Sequence, residues 1–95
     1  MRVRFTRGAR ADLDEIFRYI AADNSRAAAD LFKRILDLIE LLTDFPGLGR
    51  PTKPAGRHVL TVPRAPYRVY YRIVRNEARI LMIRHTSRRP LRTMQ

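Results

Sequence analysis

The spacing of apolar residues changes twice along this chain, and each change marks a new kind of element. Residues 2–6 alternate between polar and apolar side chains, which predicts a short first strand. Residues 9–20 and 28–45 instead place their apolar side chains three or four positions apart, as on one face of an α-helix. Thr6 and Ser25 precede these two segments and are suited to cap them, because a hydroxyl accepts a hydrogen bond from a free amide of the first turn.

The second helix has the more regular apolar face. Its members are Ala28, Leu31, Ile35, Leu38, Leu42 and Phe45, with Phe32 and Ile39 beside them. Pro46 ends the helix and Gly47 can form its left-handed cap. Because the break between the helices is short, they must fold back as an antiparallel hairpin. A coiled-coil dimer is the alternative, but fewer than three heptads favour packing of the hairpin on a sheet.

Residues 46–56 contain three prolines and three glycines, which predicts a linker. The Gly47-Leu48-Gly49 motif inside it does not open a helix after a strand, so it is a weak signal for nucleotide binding. Residues 57–63 then predict a short strand.

Residues 66–85 form the most distinctive stretch of the sequence. Two arms rich in β-branched and aromatic residues flank a polar turn at 75–78, which is typical of a β-hairpin. Alternation along the first arm puts Arg68, Tyr70 and Arg72 on one face of the strand. The opposite face carries Tyr67, Val69, Tyr71 and Ile73. One face can therefore enter a core while the other presents cations and a phenol.

The length of the hairpin turn decides where His85 lies. A two-residue turn at Asn76 and Glu77 would place His85 opposite Arg68. A three-residue loop would place Arg84 there and His85 on the core face. Both alternatives remain open at the level of the sequence.

In order, these elements give β-α-α-β-β-β. This order predicts an α+β fold in which the helical hairpin packs on one face of an antiparallel sheet. A chain of 95 residues is long enough for one modest core, so residues 1–95 are expected to form a single domain.

The formal net charge of +11 resides in the second half of the chain. Residues 1–49 hold eight Lys or Arg and eight Asp or Glu, whereas residues 50–95 hold twelve Lys or Arg and the single acid Glu77. Eighteen of the twenty cations are arginine, whose fork of donors suits phosphate and carboxylate. A general bias towards arginine would not remove the acids after residue 50. The charge therefore favours an anionic partner for the second half.

Several classes of protein do not fit this composition. The chain has no cysteine and only His58 and His85 as imidazoles, so we expect no disulfide, no metal and no cofactor. No long apolar run follows the basic N-terminus, so we expect no signal peptide or membrane span and a cytoplasmic location.

Four motifs in this order resemble the ParE/RelE superfamily of bacterial toxins, and the resemblance covers essentially the whole chain. The motifs are ADLDEI at 11–16, FPGLGRP at 45–51, PYRVYYR at 66–72 and IRHTSRRP at 83–90. Each motif alone is weak, whereas four in register are specific for the superfamily. The FPGLGRP motif at 45–51 and the His-x-x-Arg-Arg ending are most similar to the ParE branch, often described as plasmid-stabilisation proteins.

This resemblance implies a toxin that inhibits DNA gyrase by protein–protein contact, without a cofactor. It also implies a hetero-oligomer with a cognate acidic antitoxin. The residues expected to contact the target are Arg68, Tyr70, Arg72, Arg84, His85, Arg88 and Arg89. The residues expected to contact the antitoxin lie on the apolar side of the helices: Leu13, Phe17, Ile20, Phe32 and Ile39.

The alternative is a RelE-like endoribonuclease that cuts messenger RNA on the ribosome. Its catalytic residues would be Arg68, His85 and Arg88. The RelE branch carries lysines where this chain has Val59 and Thr61, so most groups for proton transfer are missing here. A solitary histidine at a strand end is more often structural than catalytic. A third alternative is an inactive protein that still binds an antitoxin.

Overall fold

A computed structural model describes residues 1–86 of the chain. The helices are α1 (Arg7–Ala21) and α2 (Ser25–Glu40), and a short 3-10 turn (Leu41–Thr43) follows α2. The strands are β1 (Arg2–Phe5), β2 (Arg50–Thr52), β3 (Arg57–Thr61), β4 (Tyr67–Val74) and β5 (Glu77–His85). In this part of the chain neither helix is long and apolar enough to cross a membrane.

The five strands form one sheet in the order β1-β5-β4-β3-β2. The α+β class and the helical hairpin on one face are confirmed. Two details differ from the sequence-based prediction. β2 lies within the predicted linker, and β1 pairs with β5 in parallel, so the sheet is mixed rather than wholly antiparallel. The parallel pair arises because the whole helical hairpin and three strands separate β1 from β5, which leaves room for a crossover.

The first helix begins as predicted and the second begins one residue early. The Thr6 hydroxyl accepts a hydrogen bond from the Ala9 N–H at 3.1 Å. The second cap is Asn24 rather than Ser25: its backbone is extended and its side-chain oxygen accepts from the Ala27 N–H at 3.0 Å. An asparagine directly before a serine competes for the same role, and amide oxygens cap helices as well as hydroxyls do.

The buried line of α2 differs from the predicted one at its C-terminal end. It runs through Ala28, Leu31, Ile35, Ile39 and Leu42. Leu38 lies beside this line, and Phe45 is 59% exposed rather than part of the core. The helix ends at Glu40 and tightens into the 3-10 turn, so Phe45 lies beyond the helical face that the sequence pattern suggested.

Tyr71 connects the sheet to the segment that follows the helices. This side chain lies in the core, where its hydroxyl donates to the Pro46 carbonyl at 2.8 Å and accepts from the Gly49 N–H at 2.8 Å. Burial raises the pKa of the Tyr71 hydroxyl, and the Gly49 hydrogen bond opposes that rise. The His58 ring stacks on Tyr71 with centroids 5.2 Å apart. The Gly-x-Gly motif thus has a structural role here.

The β4–β5 hairpin resolves the two alternatives for its turn. The two turn residues are Arg75 and Asn76, both with positive φ, as in the two-residue turns that connect twisted strands. The register then shifts at Tyr70 and Tyr71, where Leu81 is the extra residue of a bulge. Beyond the bulge Arg84 lies opposite Arg68, and His85 lies opposite the buried Tyr67. Arg84 and His85 therefore lie where a three-residue loop would have placed them, but a two-residue turn followed by a bulge produces this register.

An arginine-rich sheet face as the candidate functional site

Within residues 1–86 the sheet has one face covered by the helices and one face that no other element covers, here called the open face. Residues paired across neighbouring strands share a face, so the register identifies three rows on the open side. The rows across β3, β4 and β5 are Arg57–Arg72–Arg79, Val59–Tyr70–Met82 and Thr61–Arg68–Arg84. Arg2 and Arg4 extend this side on β1, and Arg50 extends it on β2. We call the surface formed by the eight arginines at these positions and the residues between them the arginine face.

Four of the predicted target-binding residues lie together on the arginine face. They are Arg68, Tyr70, Arg72 and Arg84, all of them half-buried. His85 does not join them, because it pairs with Tyr67 on the core side. Arg88 and Arg89 lie outside the described residues.

Carboxylates neutralise the β1–β5 side of this face. Glu77 accepts from Arg79 at 2.8 Å and from Arg4 at 3.5 Å. The hydrogen bond from Arg79 and the charge of Arg4 hold the pKa of the Glu77 carboxyl below its usual value, although burial opposes this. Asp12 of α1 accepts from Arg84 at 2.6 Å. The same carboxylate oxygen accepts from the Ile83 N–H at 2.9 Å.

The β3–β4 side of the face lacks such compensation. In residues 1–86 no carboxylate forms an ion pair with Arg50, Arg57, Arg68 or Arg72. The guanidinium carbon of Arg57 lies 5.1 Å from the centre of the Tyr70 ring, a cation–π contact. The Nε atoms of Arg57 and Arg68 are buried without a hydrogen-bond acceptor among the described residues.

His85 occupies a structural position on the other side of the sheet. Its ring meets the buried Tyr67 ring edge-on, with centroids 5.2 Å apart. Alternation along a strand puts Arg68 and Tyr67 on opposite faces, so His85 and Arg68 are separated by the sheet. Two of the three residues of the alternative catalytic set therefore do not share a surface in this structure.

The predicted antitoxin-binding residues divide into core and surface. Leu13 and Ile39 are buried in the core, and Leu13 also lines the pocket between the two helices. Phe17 is 36% exposed and meets Phe32 edge-on at 5.7 Å. Together with Ile20, these two rings line an apolar groove between α1 and α2.

The sequence-based reasoning missed several residues of the site. Arg57 and Arg79 belong to the arginine face, and their positions in alternating segments were a usable signal. The role of Asp12 was not visible, because no local pattern links α1 to the edge of β5. The apolar pattern also did not indicate that Leu41, Phe45 and Leu48 are exposed.

The fold and this site together define a class of protein. A helical hairpin on one face of a five-stranded mixed sheet is the architecture of the ParE/RelE superfamily of type II toxin–antitoxin systems. One solved structure that it matches is the chromosomal ParDE toxin–antitoxin system from Pseudomonas aeruginosa, with a TM-score of 0.80, 30% identity and coverage of 92% of this chain and 97% of that one. Another is the toxin–antitoxin complex RelBE2 from Mycobacterium tuberculosis, with a TM-score of 0.61, 28% identity and coverage of 88% and 95%.

Within this class the sequence is specific enough to name the family. Residues 3–90 match the family described as ParE toxin of type II toxin-antitoxin system, parDE. The chain belongs to this ParE toxin family. It is also 37% identical over 84 residues to Y4kP, a candidate toxin of Sinorhizobium fredii. The aligned residues cover 88% of this chain and 86% of that protein.

Proposed function

We propose that this ParE-family toxin acts by binding DNA gyrase through its arginine face and is neutralised by a cognate acidic antitoxin. The observation that carries the proposal is the composition of this face. It offers a concentrated set of guanidinium groups with an aromatic ring at the centre, and within residues 1–86 both imidazoles belong to the opposite side. Binding needs such donors, whereas proton transfer would need a positioned acid and base.

The antitoxin is proposed to bind the other side of the toxin. The exposed apolar groove between α1 and α2 suits the apolar face of an amphipathic helix. Phe17, Ile20 and Phe32 are the residues through which we expect contact. Family membership and the two toxin–antitoxin complexes that resemble this chain support such a partner. With the antitoxin on the helices, the arginine face would remain open.

The alternative function is a RelE-like endoribonuclease acting on messenger RNA at the ribosome. Arg68 would contact the scissile phosphate. The observation that favours this function is the similarity to RelBE2. It requires His85, or an equivalent group, to reach the same phosphate as Arg68. The separation of these two side chains by the sheet is therefore an argument against it.

Two parallel assays test the proposal. Purified toxin is added to a gyrase supercoiling reaction and to a translating extract whose messenger RNA is followed for cleavage. We expect inhibition of supercoiling and intact messenger RNA. Cleaved messenger RNA together with unaffected supercoiling would refute the gyrase proposal and favour the nuclease.

Substitutions sharpen the distinction. His85→Ala should leave gyrase inhibition within about twofold, because no proton transfer is involved, whereas a nuclease would lose about two to four orders of magnitude. The double variant Arg68→Ala and Arg72→Ala should weaken inhibition by roughly tenfold or more, because charge contacts across an interface are lost. Its matched control removes the same charge from the helices, with Arg10→Ala and Arg26→Ala, both exposed.

A further inference from the structure

The middle row of the open face differs chemically from the rows on either side. Val59, Tyr70 and Met82 cross the sheet between two rows that contain arginines. Two residues along a strand span about 6.6 Å, so the arginine rows are about 13 Å apart with an apolar and aromatic strip between them. A ligand that fills this site must combine anionic groups at the edges with a flat apolar part in the middle.

Two arginines beside Tyr70 lack a hydrogen-bond acceptor among the described residues. Arg57 and Arg68 flank Tyr70, and each has a buried Nε without an acceptor in residues 1–86. The terminal nitrogens of these two guanidinium groups are not among the buried atoms and hold no hydrogen bond in residues 1–86, so they are the donors that an incoming oxyanion would meet. Arg79 and Arg84, in contrast, already hold the carboxylates of Glu77 and Asp12. Among the arginines of β3, β4 and β5, those without a carboxylate partner in residues 1–86 therefore lie on β3 and β4.

We propose that this β3–β4 site binds a single strand of DNA. Arg57 and Arg68 contact phosphate groups, and a base lies against Tyr70 and the guanidinium beside it, since bases stack on tyrosine rings and on arginine planes alike. An acidic peptide would satisfy the arginines but would leave the apolar strip uncovered. A DNA duplex suits the site less well, because its bases are stacked inside the helix and none is free to lie against Tyr70.

The choice of DNA over RNA rests on the proposed function, because the proposed target, gyrase, is an enzyme that binds DNA. The binding of the strand itself does not depend on gyrase. It is measured with the toxin alone. A toxin that does not bind the strand could still inhibit supercoiling, and a toxin that does not inhibit supercoiling could still bind the strand.

The test measures fluorescence anisotropy of a labelled twelve-nucleotide single-stranded DNA with the full-length toxin over a range of salt concentrations. We expect Arg57→Ala with Arg68→Ala to weaken binding at least tenfold and to make the slope of log K against log salt less steep by about 1.4, which is two phosphate contacts on a single strand. Arg10→Ala with Arg26→Ala, which removes equal charge from the helices, should keep the slope of the parent protein.

Tyr70→Leu separates stacking from charge. It should leave the salt slope unchanged and weaken binding by roughly five- to hundredfold, because one stacked base is lost while every cation remains. Each variant is first checked for cooperative thermal unfolding. Should the double alanine variant fail to fold, Arg57→Met with Arg68→Met retains most of the apolar stem and makes the same comparison.

Three results would overturn the proposal. The first is equal binding by the Arg57–Arg68 variant and its helical control. The second is binding of a polyglutamate peptide as tight as that of the DNA strand, which would identify the site as one for acidic protein segments. The third is a tenfold preference for RNA of the same sequence, which would contradict the choice of DNA and favour the nuclease.

Discussion

A single glycine illustrates how closely this fold is packed at the residue scale. A Cβ atom added at Gly49 would lie 2.6 Å from Cε1 and 2.7 Å from the hydroxyl of Tyr71. Tyr71 is fully buried and fixed by two hydrogen bonds, so its ring has little freedom to move. Gly47, two residues earlier, has no atom within 4 Å of the same position. The two glycines of one motif therefore have different roles.

We predict that Gly49→Ala lowers the free energy of unfolding by about 1–3 kcal/mol, because overpacking against a fixed ring forces side chain and backbone apart. Gly47→Ala is the matched control and should change it by less than about 0.5 kcal/mol. Urea denaturation of both variants measures the difference. Equal stabilities would mean that the linker moves away from Tyr71 without cost.

At the scale of elements, the C-terminal half of β5 is a sheet edge that α1 protects. β1 pairs only with residues 77–80 of β5. At the end of this pairing the Thr6 hydroxyl donates to the Ile80 carbonyl at 2.9 Å, and beyond it Asp12 accepts from the Ile83 N–H. The side chains of Asp12 in α1 and of its capping residue Thr6 thus replace the missing strand partner, and they fix the helix against the sheet.

Asp12→Ala should therefore destabilise the protein by about 1–3 kcal/mol, because it leaves the Ile83 amide and the Arg84 guanidinium without their shared acceptor. Asp14→Ala removes an exposed carboxylate from the same helix and serves as the control. Hydrogen exchange at Ile83 should accelerate in the first variant only. Unchanged protection of that amide would show that Asp12 is not its essential partner.

How much of this architecture the sequence could predict depends on the range of the interactions involved. Both helices, the cap at Thr6 and the two faces of β4 follow from local periodicity, and they are confirmed. β2 was not predicted, because three residues containing Pro51 become a strand only through pairing with β3. The bulge at Leu81 likewise depends on how two strands align, so the location of His85 remained open until the register was known.

The candidate site was predictable in part for the same reason. Alternation alone identified Arg68, Tyr70 and Arg72 as neighbours on one surface. The contributions of β1, β2 and β3 to that surface require the order of the strands, which no local pattern encodes. The distinction between paired and unpaired arginines depends on Glu77 and Asp12, which are distant from most of them in the sequence.

On the scale of the whole molecule, one core joins the helical layer to the sheet. Leu42 lies in that core and is fully buried, although it belongs to the short turn after α2. Its neighbour Leu41 is 45% exposed. Adjacent leucines thus offer a direct comparison between a core position and a surface position.

Leu42→Asp is predicted to abolish cooperative thermal unfolding, because an unpaired buried carboxylate costs several kcal/mol against a total stability of roughly 5–10 kcal/mol. Leu41→Asp should melt cooperatively close to the parent protein. Circular dichroism during heating distinguishes the two outcomes. A cooperative transition in the Leu42 variant would show that the end of the helical layer is not part of the common core.

The arginine face also has a consequence for how copies of this chain meet one another. A bare sheet face with an apolar strip would ordinarily invite a second sheet to stack on it at about 10 Å. Here such stacking would bring two arrays of guanidinium groups to a distance comparable with the Debye length of about 8 Å at physiological salt. Like-charge repulsion thus opposes the stacking of two copies through this face and favours a partner of opposite charge.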